Sequence, residues 1–147
     1  MRDISPRRLI LAMEKGQLLF EGKEKTSSVH IREFSPQGAK LDVTLAGRLS
    51  GNISGLIMST HNALLKANGT VEADLRSLIF TNGEPVFMWG KATAKAVDPT
   101  PILQIEVDVA FQTPSQKLSY LNTTKGWVEG LDNFGTGEFN FKVYAVT

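Results

Sequence analysis

This sequence predicts an all-β chain that closes into one small antiparallel barrel, and three observations predict it. Apolar residues recur with period two over much of the length, turn dipeptides interrupt that alternation at short intervals, and one segment alternates glycine with large aliphatic residues. Alternation puts every second side chain on one face of a strand. Closely spaced turns join neighbouring strands as hairpins. Glycine at alternate positions lets a strand bend enough for a sheet to close on itself. An up-and-down barrel of roughly eight to ten strands follows, and a sandwich with a sharp corner is the alternative the same pattern allows.

The 147 residues suit one domain spanning the whole chain, and 41% hydrophobic with 21% charged residues is enough apolar material for a core. Formal net charge is +1, with Lys and Arg scattered rather than clustered. Nucleic-acid binding uses several cations on one face, so no nucleic-acid partner is expected. The absence of cysteine removes disulfides and thiolate metal sites and fits a reducing compartment. The longest apolar run near the start, Leu9 to Met13, is too short for a signal-peptide core or a membrane span. A cytoplasmic location without membrane association is the expectation, and the triplets at Asn52, Asn68 and Asn122 then count as chance.

Taken in order, Ser5 as N-cap and Pro6 at the first helical position predict a short helix over Arg7–Lys15, ended by Gly16. An opening strand over Leu9–Met13 competes with it. From Gln17 the period is two. Val29 and Ile31 precede the turn Ser35-Pro36-Gln37-Gly38, and Leu41, Val43 and Leu45 follow it. Asn68-Gly69 and Asn82-Gly83 are tight hairpin turns, Asp98-Pro99-Thr100-Pro101 is another connector, and Gly135-Thr136-Gly137 precedes a last strand with Phe139 and Phe141 on one face. From Leu45 to Ile57, Leu45, Gly47, Leu49, Gly51, Ile53, Gly55 and Ile57 share one parity, as on one face of a bent strand. Arg48, Ser50, Asn52 and Ser54 take the other face.

A two-residue turn at Asn82-Gly83 sets a register. Leu75 faces Gly90, Ala73 faces Ala92, and Val71 faces Ala94, with Ile105, Val107 and Val109 on the far edge of the middle strand. The small row Gly90, Ala92, Ala94 and Ala96 between bulkier rows makes a trough, which needs filling by the N-terminal helix, another sheet, a second copy or an apolar ligand. The opposite face carries Glu72, Asp74, Arg76, Trp89, Lys91, Thr93, Lys95, Gln104, Glu106 and Asp108. It reads as a solvated wall of cross-strand ion pairs, or as a polar lumen where Glu106 or Asp74 moves a proton beside Lys91.

Signals for chemistry are sparse. Two histidines without cysteine partners or close spacing argue against zinc, so neither metal nor cofactor is expected. His30 belongs to the polar face of its strand, and His61 lies in the apparent loop Ser59-Thr60-His61-Asn62. No Gly-x-Ser-x-Gly elbow occurs. Arg48 with Ser50 and Asn52 could meet an anionic or carbonyl group, or simply face water. Trp89, Tyr120 and Trp127 could line a pocket mouth or pack in the core.

The segment Gly47-Arg48-Leu49-Ser50-Gly51-Asn52-Ile53-Ser54-Gly55 resembles a Gly-x-x-x-Gly-x-x-x-Gly strand in a small family of uncharacterised bacterial and archaeal β-barrel proteins. Phe111-Gln112-Thr113, Lys117 and Tyr120-Leu121-Asn122 resemble that family's Phe-x-Thr stretch and aromatic-Leu-Asn motif, and Gly126, Gly130 and Val143-Tyr144-Ala145-Val146 fit its closing strands. The resemblance spans Leu41 to Val146. It implies a closed barrel similar to lipocalin-like (calycin) and allene-oxide-cyclase-like barrels, carries no activity, and adds Tyr120 and Asn122 to the pocket candidates Arg48, Asn52 and Trp89. The leading expectation is binding of a small, largely apolar or carboxylate-bearing ligand in the barrel or at its mouth. A cofactor-independent cyclase, isomerase or lyase using a carboxylate with Tyr120 or Arg48 is the second, and a structural domain that self-associates into a homo-oligomer by burying the trough is the third.

Overall fold

A computed structural model describes residues 15–97 and 101–146. They form β1 (Lys15–Ser35), β2 (Gly38–Gly51), β3 (Gly55–Lys66), β4 (Val71–Thr81), β5 (Glu84–Val97), β6 (Ile102–Gln112), a 3-10 helix (Ser119–Thr123), β7 (Lys125–Asn133) and β8 (Glu138–Val146). Each strand pairs antiparallel with the next and β8 pairs with β1, which closes an up-and-down barrel. The predicted N-terminal helix falls outside the described residues except for Lys15, which opens β1, and the connector at Asp98-Pro99-Thr100 also falls outside. Among the described residues no helix is long and apolar enough to cross a membrane.

Local chemistry explains the turns. Asn82 and Gly83 both take positive φ, 51° and 77°, as the two-residue connection between β4 and β5 requires. The register that follows is the expected one, Leu75 opposite Gly90, Ala73 opposite Ala92 and Val71 opposite Ala94. On the other edge of β5, Gly90, Ala92 and Ala94 meet Val109, Val107 and Ile105. The glycine-rich segment, however, is not one strand. Gly51 and Gly55 adopt φ of 117° and 146°, and the chain reverses between them from β2 into β3. Parity survives the reversal, because Leu45, Leu49, Ile53 and Ile57 are all buried.

The alanine row does face inward, with Ala92 and Ala94 each 5% exposed, while Ala96 lies exposed near the strand end. What fills the trough is the opposite wall of the same barrel. Val128, Phe139 and Phe141 converge on Leu75, Met88 and Val109, and Phe139 stacks on Phe141 with centroids 4.9 Å apart. Neither the helix nor a second copy is needed to cover it. One end of the barrel is stoppered by Leu121 of the 3-10 helix, fully buried alongside Phe20, Ile53, Ile79, Val86 and Val143. At the other end β1 runs on beyond the core, and Val29 and Ile31 are left exposed.

Closure needs close backbone approach at Gly47. A Cβ there would overlap the Lys23 carbonyl oxygen and fall 2.7 Å from Glu24 Cα, both main-chain positions of β1. Main chain cannot swing aside as a side chain can, so Gly47→Ala is expected to cost about 2–3 kcal/mol. Gly135→Ala, whose Cβ would touch the Pro101 ring at 3.1 Å, is expected to cost at most about 1 kcal/mol. Urea midpoints at constant m-value check both, and equal midpoints for the two variants would contradict the β1–β2 contact.

Candidate functional site

Two places on the barrel concentrate unusual chemistry, one inside the lumen and one on the outer wall. The inner one starts from strand parity. Ser59 and His61 continue the inward row of Ile57, Ser77 lies between inward Leu75 and Ile79, and Asp132 follows Val128 and Gly130. His61 is therefore a β3 lumen residue, not a loop residue. Glu24 sits opposite Gly47 on one side and Phe139 on the other. With no side chain on Gly47, the Glu24 carboxyl reaches Ser59 on β3 and accepts a hydrogen bond from its hydroxyl. The Ser59 and Ser77 hydroxyls are 2.7 Å apart, so Ser77 then donates to Ser59.

These groups are sealed from water. Glu24 is 2% exposed and Asp132 4%, and each keeps one carboxyl oxygen, Oε2 and Oδ1, without a hydrogen-bond partner. Burial pushes the Glu24 carboxyl up from 4.5 to about 7, against the Ser59 hydrogen bond, with the Asp132 charge adding to the rise. Burial likewise raises Asp132 from 3.8 to about 6 and lowers His61 from 6.5 to about 4, so His61 is neutral at physiological pH. The His61 ring meets Phe139 edge-on at 5.8 Å. A residual cavity of about 10 Å³ remains between Glu24, His61, Ser77, Met88 and Phe139. That is room for a single water at most, not for an organic ligand. Among the described residues no cluster of His, Asp and Glu is arranged to hold a metal ion.

The outer site is a groove of about 710 Å³ crossing β2 to β5. Its outward residues form rows across the sheet. Thr44, Thr60, Arg76 and Trp89 are in register in one row, and Ala46, Met58, Leu78 and Phe87 in the next. Leu56, Phe80 and Pro85 continue beyond them. Met58 is 49% exposed, Phe87 45% and Trp89 43%, with Leu56 and Phe80 exposed too. Contiguous exposed apolar area of this kind marks a binding surface more often than an idle one. Two other hollows on the wall are of mixed charge. One holds Lys23, Arg48, Glu106, Glu129 and Lys142, the other Arg32, Lys40, Glu72, Asp74 and Lys91.

The five residues singled out from sequence do not converge. Arg48 is exposed in the first mixed-charge hollow, and Asn52 is exposed in the turn between β2 and β3. Trp89 alone belongs to the apolar groove. Tyr120 is exposed on the 3-10 helix, its carbonyl accepting from the Thr123 and Thr124 hydroxyls at 3.2 and 2.8 Å. Asn122 is a latch. Its Oδ1 accepts from the Thr113 amide at 2.7 Å and its Nδ2 donates to the Thr113 carbonyl at 3.1 Å, tying the 3-10 helix to the end of β6. Glu72, Asp74 and Glu106 belong to outward rows, with Glu72 paired to Lys66 at 2.6 Å, so the wall is a solvated one and the enclosed acids are Glu24 and Asp132.

No family model and no curated protein matches the chain. Solved structures do. A β-barrel-like protein from Acinetobacter baumannii AYE is similar with a TM-score of 0.76 and 20% identity, over 89% of this chain and 96% of that one. A protein of unknown function from Clostridium acetobutylicum ATCC 824 gives a TM-score of 0.79 and 14% identity, over 89% and 97%. An enzyme from Penicillium herquei gives a TM-score of 0.63 and 24% identity, over 87% and 92%. At these identities the likeness establishes the barrel fold, and uncharacterised barrel proteins among the neighbours agree with the resemblance noted in the sequence.

The lumen pKa shifts set the pH dependence of stability. Between pH 4.5 and 7 the unfolded chain has released the Glu24 proton while the folded chain keeps it, so stability falls as pH rises through that window. Asp132 acts in the same direction between 3.8 and 6. His61 acts oppositely, since between pH 6.5 and 4 only the unfolded chain takes up its proton and stability falls on acidification. Glu24→Gln is therefore expected to raise stability at pH 8 by on the order of 3 kcal/mol and to flatten the decline between pH 5 and 7. Urea unfolding across pH 5–8 checks this, and a variant that keeps the parent's slope would contradict the burial of Glu24.

Proposed function

We propose that this protein binds a small, largely apolar molecule on its outer wall, in the groove between β2 and β5. The observation that carries the reading is the groove's lining, where Met58, Leu78, Phe87 and Trp89 present apolar surface to solvent over a hollow of about 710 Å³. That volume lies within the range of small-molecule sites. Met58 and Trp89 suit the task. A thioether side chain adapts to irregular shapes, and an indole offers a rigid face at small entropic cost. The lumen cavity lined by Glu24, His61 and Met88, with room for no more than one water, is not the place for this ligand in the closed barrel.

A second reading, proton transfer without a cofactor, is favoured by one specific observation, the enclosed Glu24 carboxyl with an unpartnered oxygen beside the residual cavity. Its substrate would have to displace Met88 or Phe139 to reach that oxygen. The binding reading needs no such rearrangement.

A neutral probe, 1-decanol, titrated into the protein below its solubility limit tests the reading. Binding is expected with a negative heat-capacity change and a shift in Trp89 emission, Trp127 lying outside the groove lining and adding a constant background. Met58→Glu, which sets a charge in the middle of the groove, is expected to weaken binding at least about tenfold. A parent protein that leaves decanol and both its anionic and cationic ten-carbon analogues unbound would end this reading.

A further inference from the structure

We infer that the groove takes an anionic amphiphile, a molecule with a carboxylate or similar anionic head and an apolar tail of medium length, with Arg76 holding the head. The inference rests on the groove being a binding site and specifies its ligand class.

Three observations carry it. The first is charge. Of the residues lining the groove, Arg76 is the one ionisable group, and no carboxylate shares that lining. In the two mixed-charge hollows, by contrast, acids accompany the cations, Glu106 and Glu129 with Arg48, and Glu72 and Asp74 with Lys91. Arg76 also has no ion-pair partner among the described residues, whereas Arg32, Lys40 and Lys66 are each paired within 3.2 Å. The nearest acid along its own strand on the outward face is Asp74, which faces Lys91 in register and lines the neighbouring hollow.

The second observation is the order of the rows. The Arg76 row brings the Thr44 and Thr60 hydroxyls to one side and Trp89 to the other. Ser27 and Ser28 extend it through hydroxyl contacts to Thr44 at 2.8 and 2.6 Å. Over β3 to β5 the next two rows, Met58, Leu78 and Phe87 and then Leu56, Phe80 and Pro85, are wholly apolar, with cations only at their far edges, Lys25 opposite Ala46 and Arg48 opposite Leu56. Along β3 to β5 polarity therefore changes in one direction, from a hydroxyl and a guanidinium to hydrocarbon. A guanidinium offers paired N–H donors matched to a carboxylate.

The third is length. Rows are two residues apart, so the Arg76 row and the Phe80 row are separated by about 13 Å, the reach of a chain of roughly eight to ten carbons. A head at Arg76 leaves such a tail lying over Met58, Leu78 and Phe87 and ending against Leu56 and Phe80.

The test compares decanoate, 1-decanol and decyltrimethylammonium, each below its micelle concentration, by titration calorimetry on the full chain. Decanoate is expected to bind about five- to tenfold more tightly than decanol in low salt, with the cation weakest. The margin is expected to shrink as ionic strength rises. In Arg76→Gln the advantage of decanoate over decanol is expected to disappear while decanol binding stays, and Arg48→Gln, in a different hollow, is expected to retain it. Urea midpoints confirm that both variants fold. Equal binding of decanoate and decanol by the parent protein overturns the head-group assignment and leaves the groove standing. Loss of the preference in Arg48→Gln instead of Arg76→Gln also overturns it, and failure of all three probes to bind overturns the groove itself.

Discussion

An eight-stranded barrel encloses a lumen about as wide as the side chains that point into it, and the rest of this molecule follows from that limit. The inner face must fill itself, so large residues on one wall have to meet small ones on another. The row of Gly90, Ala92 and Ala94 receives bulk from Phe139, Phe141 and Val128, and Gly47 lets β1 cross β2 at main-chain contact. With the interior filled, an organic ligand has no ready place there. Among the described residues the roomy concave surface lies on the outside, where coiled strands leave hollows across the wall.

Filling the lumen with Glu24, Asp132 and His61 is a costly choice in that setting. No cation among the described lumen residues compensates the two acids, because burial keeps His61 neutral down to about pH 4. The acids answer by holding their protons to near-neutral pH, which is cheaper than burying charge. The Ser77–Ser59–Glu24 hydrogen-bond chain satisfies part of the polarity and leaves one oxygen of Glu24 free. An apolar residue or glutamine would hold the fold together at less expense. Stability alone does not account for a glutamate there, and the catalytic reading keeps its foothold for that reason.

Much of the barrel was legible from period-two patterning and turn chemistry. The Asn82-Gly83 turn fixed β4 against β5, the next hairpin brought Ile105, Val107 and Val109 to the other edge of β5, and the rows expected are the rows observed. The glycine-rich segment misled because parity is blind to direction. Leu45 through Ile57 keep their facing whether the chain continues or reverses, and only the positive φ at Gly51 and Gly55 distinguishes the two. Ser59, His61 and Ser77 could have been placed inside by extending the parity of Ile57 and Leu75. Glu24 could not. It sits in the charged run Glu21 to Lys25, and register shifts near Leu18 and after Thr26 break the count from either side. The groove was hidden for another reason. Its residues come from four strands, and their shared feature, apolar side chains at outward positions, emerges only when the strands are laid side by side.

Closure also restricts how anything can be recognised. A sheet with free edges can bind an extended partner by main-chain hydrogen bonds, but across the groove each of β2 to β5 is paired on both sides and offers no free edge. Recognition on this wall must therefore run through side chains, and outward side chains come in rows about 7 Å apart. A ligand lying along the strands reads successive rows in sequence, so an ordered change from polar to apolar rows selects a molecule with the same order. The mixed-charge hollows have no such gradient. The same scaffold geometry thus produces hollows of different chemistry on one wall, and the residues at outward positions of β2 to β5 make one of them suited to hydrocarbon.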